Sequence, residues 1–281
     1  MEPQMIAPQL FNDPASANTN GPDIRAAKLL TVANQIADRL HADTAITRAD
    51  LSLLMSEAFG GSDATGAWTM RDGYDACEAA QVVLIQRSPS QATPFTVDSL
   101  SSFVERAAGH LARLPTQTVR SEAQIARQQF STPLPISLLA DSLAAPRSGE
   151  VVLEPSAGNG LLAVHAARAG ARLLLNELDA DRAALLHALF PQAHIHQHDG
   201  AQLHHRLSQK PSLILMNPPF SVASNVDGAF PDAALRHVSS ALARLADGGR
   251  LVAITGASLS PDHPSWREAF VRLQERGRVV F

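Results

Sequence analysis

The chain has 281 residues, of which 45% are hydrophobic, and this excludes a chain that is disordered throughout. Its 23 Lys and Arg residues against 27 Asp and Glu residues give a net charge of −4, which excludes a wholly basic nucleic-acid coat but allows local contact with DNA. The single cysteine, Cys77, excludes an intrachain disulfide, and we expect no metal site. The first 20 residues lack a basic start and an apolar core, so we expect a cytoplasmic protein without a membrane span.

The first 118 residues predict a helical N-terminal domain. Residues 1–20 are rich in Pro and Asn without periodicity, which is typical of a disordered arm, and the domain itself is expected over 21–118. Thr47 followed three residues later by Asp50 predicts a helix start, and Gly60 predicts its end. No strand pattern appears before residue 148. The predicted helices cover residues 23–41, 48–59, 72–86 and 97–113.

Residues 119–281 have a different pattern, in which short apolar runs alternate with helical segments. This alternation predicts βαβ units, and hence a Rossmann-like α/β domain whose parallel sheet has helices on both faces. The predicted strands are VVLEP (151–155), RLLLNE (172–177), AHIHQHDG (193–200), SLILMNPPF (212–220), RLVAITG (250–256) and RVVF (278–281). The predicted helices are 120–128, one that begins near Pro133, 160–170, 179–190, 230–246 and 264–276, with a polar loop at 221–228.

Polar or glycine-rich groups follow four successive predicted strands. Because the carboxyl ends of parallel strands meet at one edge of a sheet, and ligands of such sheets bind there, these groups predict one binding site. They are the loop EPSAGNG from Glu154 to Gly160, then Glu177, then Asp199, and finally Asn217-Pro218-Pro219-Phe220.

The first three groups suit a nucleoside with a cationic amine. Gly158 and Gly160 allow close backbone approach, whereas Glu154 is an acid where a phosphate site would avoid one. Glu177 lies about 20 residues past the glycine loop, where a carboxylate accepts hydrogen bonds from ribose hydroxyls. Asp199 can accept from an exocyclic amine such as that of adenine. Together they predict S-adenosylmethionine rather than NAD as cofactor.

The fourth group suits a planar amine as second substrate. The Asn217 side-chain oxygen accepts one amine proton, and a carbonyl at Pro218 accepts the other. Pro219 restricts the backbone and Phe220 offers a face on which a base can stack. Two acceptors bias the nitrogen toward tetrahedral geometry, so methyl transfer needs positioning and no strong base.

Residues 119–281 resemble the class I methyltransferases, and within them the amino-methylating branch with an Asn-Pro-Pro-aromatic motif. Gln129-Phe130-Ser131-Thr132-Pro133 resembles an extra motif of DNA adenine methylases, and EPSAGNG resembles their glycine loop. This resemblance implies that Phe130 and Thr132 contact the methionine end of the cofactor, and that Ala157 belongs to the cofactor loop. The implied activity is methylation of the N6 amino group of adenine in DNA.

Residues 48–86 resemble the N-terminal region of bacterial mobile-element proteins that fuse such a methylase to a strawberry-notch-type helicase. The resemblance implies DNA as a partner and a helicase domain after this chain. Since only 61 residues follow Phe220 and the closing hairpin of the family is lacking, we expect a C-terminally truncated domain that is poorly active alone. Three alternatives stay open: a protein-glutamine methyltransferase, an RNA guanine methyltransferase, or a non-catalytic DNA-recognition module.

Overall fold

The structure is a computed structural model that describes residues 22–88, 97–116, 131–218, 222–224, 228–230, 233–256, 262–264 and 266–280. The predicted arm at 1–20, the predicted helix at 120–128 and the predicted domain boundary at 118/119 lie outside these ranges. Within them, no helix is both long and apolar enough to cross a membrane.

The described N-terminal residues contain the four predicted α-helices, α1 (Pro22–His41), α2 (Arg48–Phe59), α3 (Met70–Arg87) and α4 (Val97–Ala112), and a short 3-10 helix over Asp63–Thr65. A reciprocal capping box begins α2, because the Thr47 hydroxyl accepts the Asp50 N–H and the Asp50 carboxylate accepts the Thr47 N–H. Gly60, at φ 75°, ends this helix in the left-handed conformation. The start of α3 has the same capping box, formed by Thr69 and Asp72.

The second part alternates strands and helices. Its helices are α5 (Leu134–Ala144), α6 (Val164–Arg168), α7 (Ala180–Leu189), α8 (Ala233–Leu242) and α9 (Arg267–Gln274), with a 3-10 helix over Gly200–His205. Its strands are β1 (Val151–Glu154), β2 (Arg172–Asn176), β3 (His194–His196), β4 (Leu213–Met216), β5 (Val222–Ser224), β6 (Gly228–Phe230) and β7 (Arg250–Ala253).

Five of these strands form one parallel sheet in the order β3-β2-β1-β4-β7. The chain moves outward from β1 to β3 and then returns to the other side of β1 with β4. This reversal opens a crevice at the carboxyl ends of β1 and β4, which is the usual ligand position in such sheets. The predicted α/β class, with helices in front of a Rossmann-like sheet, is therefore confirmed.

Several predicted elements differ from the structure. The helix predicted over 230–246 covers Ala233–Leu242, because Phe230 belongs to β6, and the strand predicted over 193–200 covers only His194–His196. The polar loop at 221–228 contains β5, which pairs with β6 in an antiparallel ribbon. The helix predicted over 160–170 covers only Val164–Arg168, because turns from the glycine loop occupy the residues before it. Residues 278–280 form no strand and Val280 is 74% exposed, since an apolar run needs a hydrogen-bonding neighbour before it becomes a strand.

Successive strand residues face opposite sides of the sheet, and both sides are buried. Leu153, Leu174 and Ile214 pack with α8 and the 3-10 helix in a smaller cluster. Their neighbours Val152 and Leu175 join a larger cluster that also contains buried residues of α1, α2, α3, α5 and α7. Helix α1 packs against both α3 and α7. The N-terminal helices and the sheet thus share one core, which fixes the helices against the sheet.

Candidate functional site

The four predicted strand-end groups lie along one edge of the sheet. Glu154, Glu177 and Asn217 end or directly follow the neighbouring strands β1, β2 and β4, and Asp199 follows β3. All of these strands run parallel, so their carboxyl ends share the edge. The structure therefore brings these candidate side chains to the same crevice.

A buried amide that sequence reasoning missed fixes two loops of this edge. The Asn176 side chain, at the end of β2, donates from Nδ2 to the carbonyls of Pro155 and His198, each at 2.9 Å. Its Oδ1 accepts the His198 N–H at 3.0 Å. The backbone carbonyl of Asn176 also accepts the N–H of Ala157, which is buried, at 2.8 Å. These bonds connect the loops after β1 and β3 to the last residue of β2.

The two glycines of the loop after β1 have different roles. Gly158 has φ 53° and Gly160 has φ 82°, both in the left-handed region that favours glycine. A Cβ at Gly160 would lie 2.3 Å from the Phe190 ring, so this glycine allows close packing against the end of α7. Among the described residues, the nearest atom to a Cβ at Gly158, its chain neighbours aside, would be in the Arg182 guanidinium, at 3.9 Å. Close approach of a ligand therefore fits Gly158.

Glu177 is held against the glycine loop by backbone hydrogen bonds. Its Oε2 accepts the Gly158 N–H at 2.8 Å and its Oε1 accepts the Asp179 N–H at 2.9 Å. Burial raises the pKa of the Glu177 carboxyl, while the two N–H donors and the Arg182 charge oppose that rise. The carboxylate is thus oriented at the centre of the edge.

Glu154 is a buried acid with an unsatisfied oxygen. The residue is 2% exposed, and its Oε2 has no hydrogen-bond partner in the part of the chain that the structure describes. Burial, and then the negative charge of Glu177, raise the pKa of Glu154 well above its usual range. A cationic amine would satisfy this oxygen and stabilise the ionised carboxylate, so the site fits a ligand with such a group.

Asp199 is exposed at the outer side of the edge, where its Oδ1 accepts the Ala201 N–H at 2.9 Å and begins the 3-10 helix. His237 of α8 packs against the next residue, because a Cβ at Gly200 would lie 3.0 Å from His237 Nδ1. Burial lowers the pKa of His237, and the Asp199 charge opposes this shift. Sequence reasoning missed His237, and no local motif marks it.

Asn217 and Thr132 meet although 85 positions separate them. Asn217 Nδ2 donates to Thr132 Oγ1 at 3.1 Å, and Thr132 is buried. This bond orients the Asn217 amide, whose Oδ1 is its acceptor atom. Pro218 is buried beside it. The predicted site residues Phe130, Pro219 and Phe220 lie outside the described residues.

Side chains from helix α3 reach the same edge, and sequence reasoning missed them too. Asn159, between the two glycines, donates from Nδ2 to Asp75 Oδ1 at 2.8 Å and to Glu78 Oε2 at 2.6 Å. Arg182 of α7 donates from Nε to Asp75 at 3.0 Å. The sequence signal for Asp75 and Glu78 is the spacing of polar residues on α3. The same spacing is equally typical of a helix face that is exposed to solvent. Across the described ranges, no three His, Cys, Asp or Glu side chains are grouped as metal ligands.

Comparison with known proteins gives one family. Residues 135–276 match the family described as Methyltransferase small domain. No curated protein sequence matches the chain.

Several solved structures are similar to the chain. A Pyrococcus horikoshii protein assigned as an RNA methyltransferase is 18% identical, with a TM-score of 0.46, and the match covers 64% of this chain and 83% of that one. TrmN from Thermus thermophilus is 19% identical, with a TM-score of 0.39 and coverage of 66% and 69%. The precorrin 8W decarboxylase of Methanobacterium thermoautotrophicum is 13% identical, with a TM-score of 0.39 and coverage of 53% and 74%.

Proposed function

The chain belongs to the methyltransferase small domain family, and from that premise we propose that it methylates the N6 amino group of adenine in DNA. Membership makes the chain an S-adenosylmethionine-dependent methyltransferase. The DNA target is the proposal, and it rests on the sequence Asn217-Pro218-Pro219-Phe220 together with the EPSAGNG loop.

The residues at the carboxyl edge fit S-adenosylmethionine, which supplies a methyl group activated by a sulfonium. Glu154 would hold the ammonium group, as its unsatisfied oxygen and raised pKa favour a cationic partner. Glu177 would accept the ribose hydroxyls, and Gly158 leaves room for close approach. Asp199 would accept from the adenine amine of the cofactor. Thr132 and Phe130 would line the methionine end, as the family resemblance implies.

The observation that carries the amine target is the bond between Asn217 and Thr132. It holds the Asn217 amide at the end of β4, beside β1, with Oδ1 as the atom that accepts a proton of the target amine. The Pro218 carbonyl would accept the second proton. An amine with two such acceptors loses conjugation with its ring, so its lone pair becomes available without a strong base.

A target adenine in duplex DNA must leave the stack before its amino group can reach Asn217. Phe220 would then stack on the flipped base. Residues 121–281 contain 14 basic and 14 acidic side chains, so this part of the chain does not repel DNA as strongly as residues 1–120, which contain 9 and 13.

The function is tested in two steps on the full chain. The first is calorimetric titration with S-adenosylmethionine, with Glu177→Ala and Asp199→Ala as controls that should weaken binding. The second compares methyl transfer to adenine-containing duplex DNA, single-stranded DNA, RNA and a release-factor protein. Transfer to adenine N6 in DNA that is lost in Asn217→Ala supports the proposal. Methyl transfer to RNA or to a glutamine side chain would show that the substrate is RNA or protein and not DNA. Cofactor binding without methyl transfer to any of the four substrates would favour a non-catalytic recognition module.

A further inference from the structure

Helix α3 carries a polar stripe on one face. Arg71, Asp75 and Glu78 have the spacing i, i+4 and i+7, which places them on the same side of a helix. Asp75 is 5% exposed. Instead of facing water, this stripe faces the loops that follow β1 and β2.

The centre of the stripe fixes the glycine loop. Asn159 is 3% exposed and lies between two residues with positive φ, Gly158 and Gly160. Its single Nδ2 group donates one hydrogen bond to Asp75 and a second to Glu78. The two acids therefore use both amide protons, and the side chain of the central loop residue is tied to a helix more than 80 positions away.

Arg71 and Asp75 of the stripe also contact the residues that follow β2. Arg71 Nη2 lies 2.6 Å from Asp179 Oδ2, and the Asp179 N–H donates to Glu177. Arg182 Nη2 lies 2.8 Å from Asp75 Oδ1. Burial alone would lower the pKa of Arg182, but the charges of Asp75, Glu78 and Glu177 raise it, so the guanidinium stays charged. One helix face thus contacts the residues on both sides of the proposed cofactor site.

Stability alone does not account for these polar groups. A buried ion network is often no more stable than apolar residues of the same size, because each charge must lose its water. The facing surfaces of α3 and α7 could therefore pack as well with apolar side chains. What apolar side chains could not do is hold the Asn159 amide and the Asp179 carboxylate in one orientation.

We propose that Asp75 and Glu78 of α3 are positioning residues that hold the glycine loop, through Asn159, in the conformation that binds the cofactor. This role rests on the proposed function, since it needs a cofactor at that loop. It makes the N-terminal helices part of the cofactor site. Neither acid touches the reacting atoms, so cofactor affinity should depend on them much more than the chemical step.

The test measures the Kd of S-adenosylhomocysteine by calorimetry on the full chain, at a temperature where every variant is folded by circular dichroism. Glu78→Ala and Asn159→Ala should each weaken binding about tenfold, which corresponds to the loss of one buried hydrogen bond to a charged group. The double variant should bind no more weakly than the worse single variant, because both changes break the same contact. Glu78→Gln should restore most of the affinity, since its amide oxygen still accepts from Asn159.

Asp50→Ala is the matched control. It removes a carboxylate from the neighbouring helix α2 and breaks the Thr47 capping box, which lowers stability, but Asp50 does not contact the loop. Its Kd should equal that of the wild type. In steady-state assays, Glu78→Ala should raise the KM for S-adenosylmethionine and leave kcat within about twofold at saturating cofactor.

Three outcomes would overturn the inference, and they distinguish it from the proposed function. If the wild type binds the cofactor and both Glu78→Ala and Asn159→Ala bind it equally well, the positioning role is wrong and the proposed function stands. The same holds if any loss of affinity merely follows the lowered Tm, as Asp50→Ala would show. If the wild type binds neither S-adenosylmethionine nor S-adenosylhomocysteine, the proposed function fails and the positioning role fails with it.

Discussion

Two pairs of acids lie on either side of the glycine loop, and they differ in what neutralises them. Asp75 pairs with Arg182, and both Asp75 and Glu78 accept hydrogen bonds from Asn159, so these acids have partners within the chain. Among the described residues, neither Glu154 nor Glu177 forms an ion pair with a basic side chain. Burial raises the pKa of both carboxyls, and the Arg182 charge opposes that rise at Glu177. The first pair completes a structural network. The second pair is prepared for a cationic ligand that the chain does not itself provide.

This difference predicts opposite responses to removal of an acid. Loss of a paired acid leaves a buried cation without a partner and destabilises the fold. Loss of the unpaired acid removes a group that the fold already penalises, so the free protein becomes more stable while ligand binding suffers. The following predictions run from the largest expected effect to the smallest.

Asp75→Ala should lower the free energy of unfolding by about 3–5 kcal/mol, because it leaves the buried Arg182 guanidinium without its nearest carboxylate. Urea denaturation followed by circular dichroism measures this change. Asp38→Ala serves as comparison, since Asp38 pairs with Arg87 at the surface, and should change the free energy by less than about 1 kcal/mol. Equal effects of the two variants would show that the Asp75 network is not a buried, coupled unit.

Glu154→Gln should raise the stability of the free protein at pH 8, because the variant has no carboxyl whose ionisation the buried site disfavours. Thermal unfolding of both proteins without ligand measures this difference as a higher Tm of the variant. A Tm below that of the wild type would mean that Glu154 has a stabilising partner, and the contrast between the two pairs would be lost.

The stability contribution of Glu154 should depend on pH with a defined sign. Its pKa is raised in the folded state, so the folded chain keeps a proton that the unfolded chain has already released. The unfolding free energy therefore falls as pH rises above about 4.5 toward the folded pKa. The Tm advantage of Glu154→Gln should accordingly be small at pH 5 and larger at pH 8. An advantage that stays constant with pH would contradict a raised pKa.

Gly160→Ala should destabilise the chain more than Gly158→Ala. Both positions have positive φ, which costs alanine about 1–2 kcal/mol, but only at Gly160 would the new Cβ overlap the Phe190 ring. The difference in Tm between the two variants measures the overlap. Gly158→Ala should instead have the greater effect on cofactor affinity relative to its loss of stability. If Gly158→Ala lowered the Tm more and Gly160→Ala weakened cofactor binding more, the assignment of packing to Gly160 and of ligand approach to Gly158 would be wrong.

Sequence periodicity was enough to predict the sheet and the residues at its edge. Strands β1 and β4 are short apolar runs, and the polar residue that ends each run must lie at the carboxyl edge once the sheet is parallel. The capping box of α2 was equally visible, because Thr47 and Asp50 are local in sequence. Such features depend on contacts within a few residues or on one repeated pattern.

The contacts that hold the edge together could not be predicted in the same way. Asn159 is part of a recognisable glycine loop, but its partners Asp75 and Glu78 lie on a helix whose polar stripe could equally have faced water. Gly160 predicted close approach of a ligand to the backbone, whereas the space that its missing side chain leaves is filled by the Phe190 ring. The apolar run at 278–280 predicted a strand, but in the structure these residues form no strand. Each of these outcomes depends on how distant elements pack.

The central claim is that the unpaired Glu154 prepares the sheet edge for the ammonium group of S-adenosylmethionine. Calorimetric titration of the wild type and of Glu154→Gln with this cofactor tests it most directly. We expect micromolar binding by the wild type and a Kd at least about 30-fold weaker in the variant, the smallest effect usual for a buried charge that loses its partner. Equal affinity of the two proteins, or no binding by the wild type, would contradict the claim.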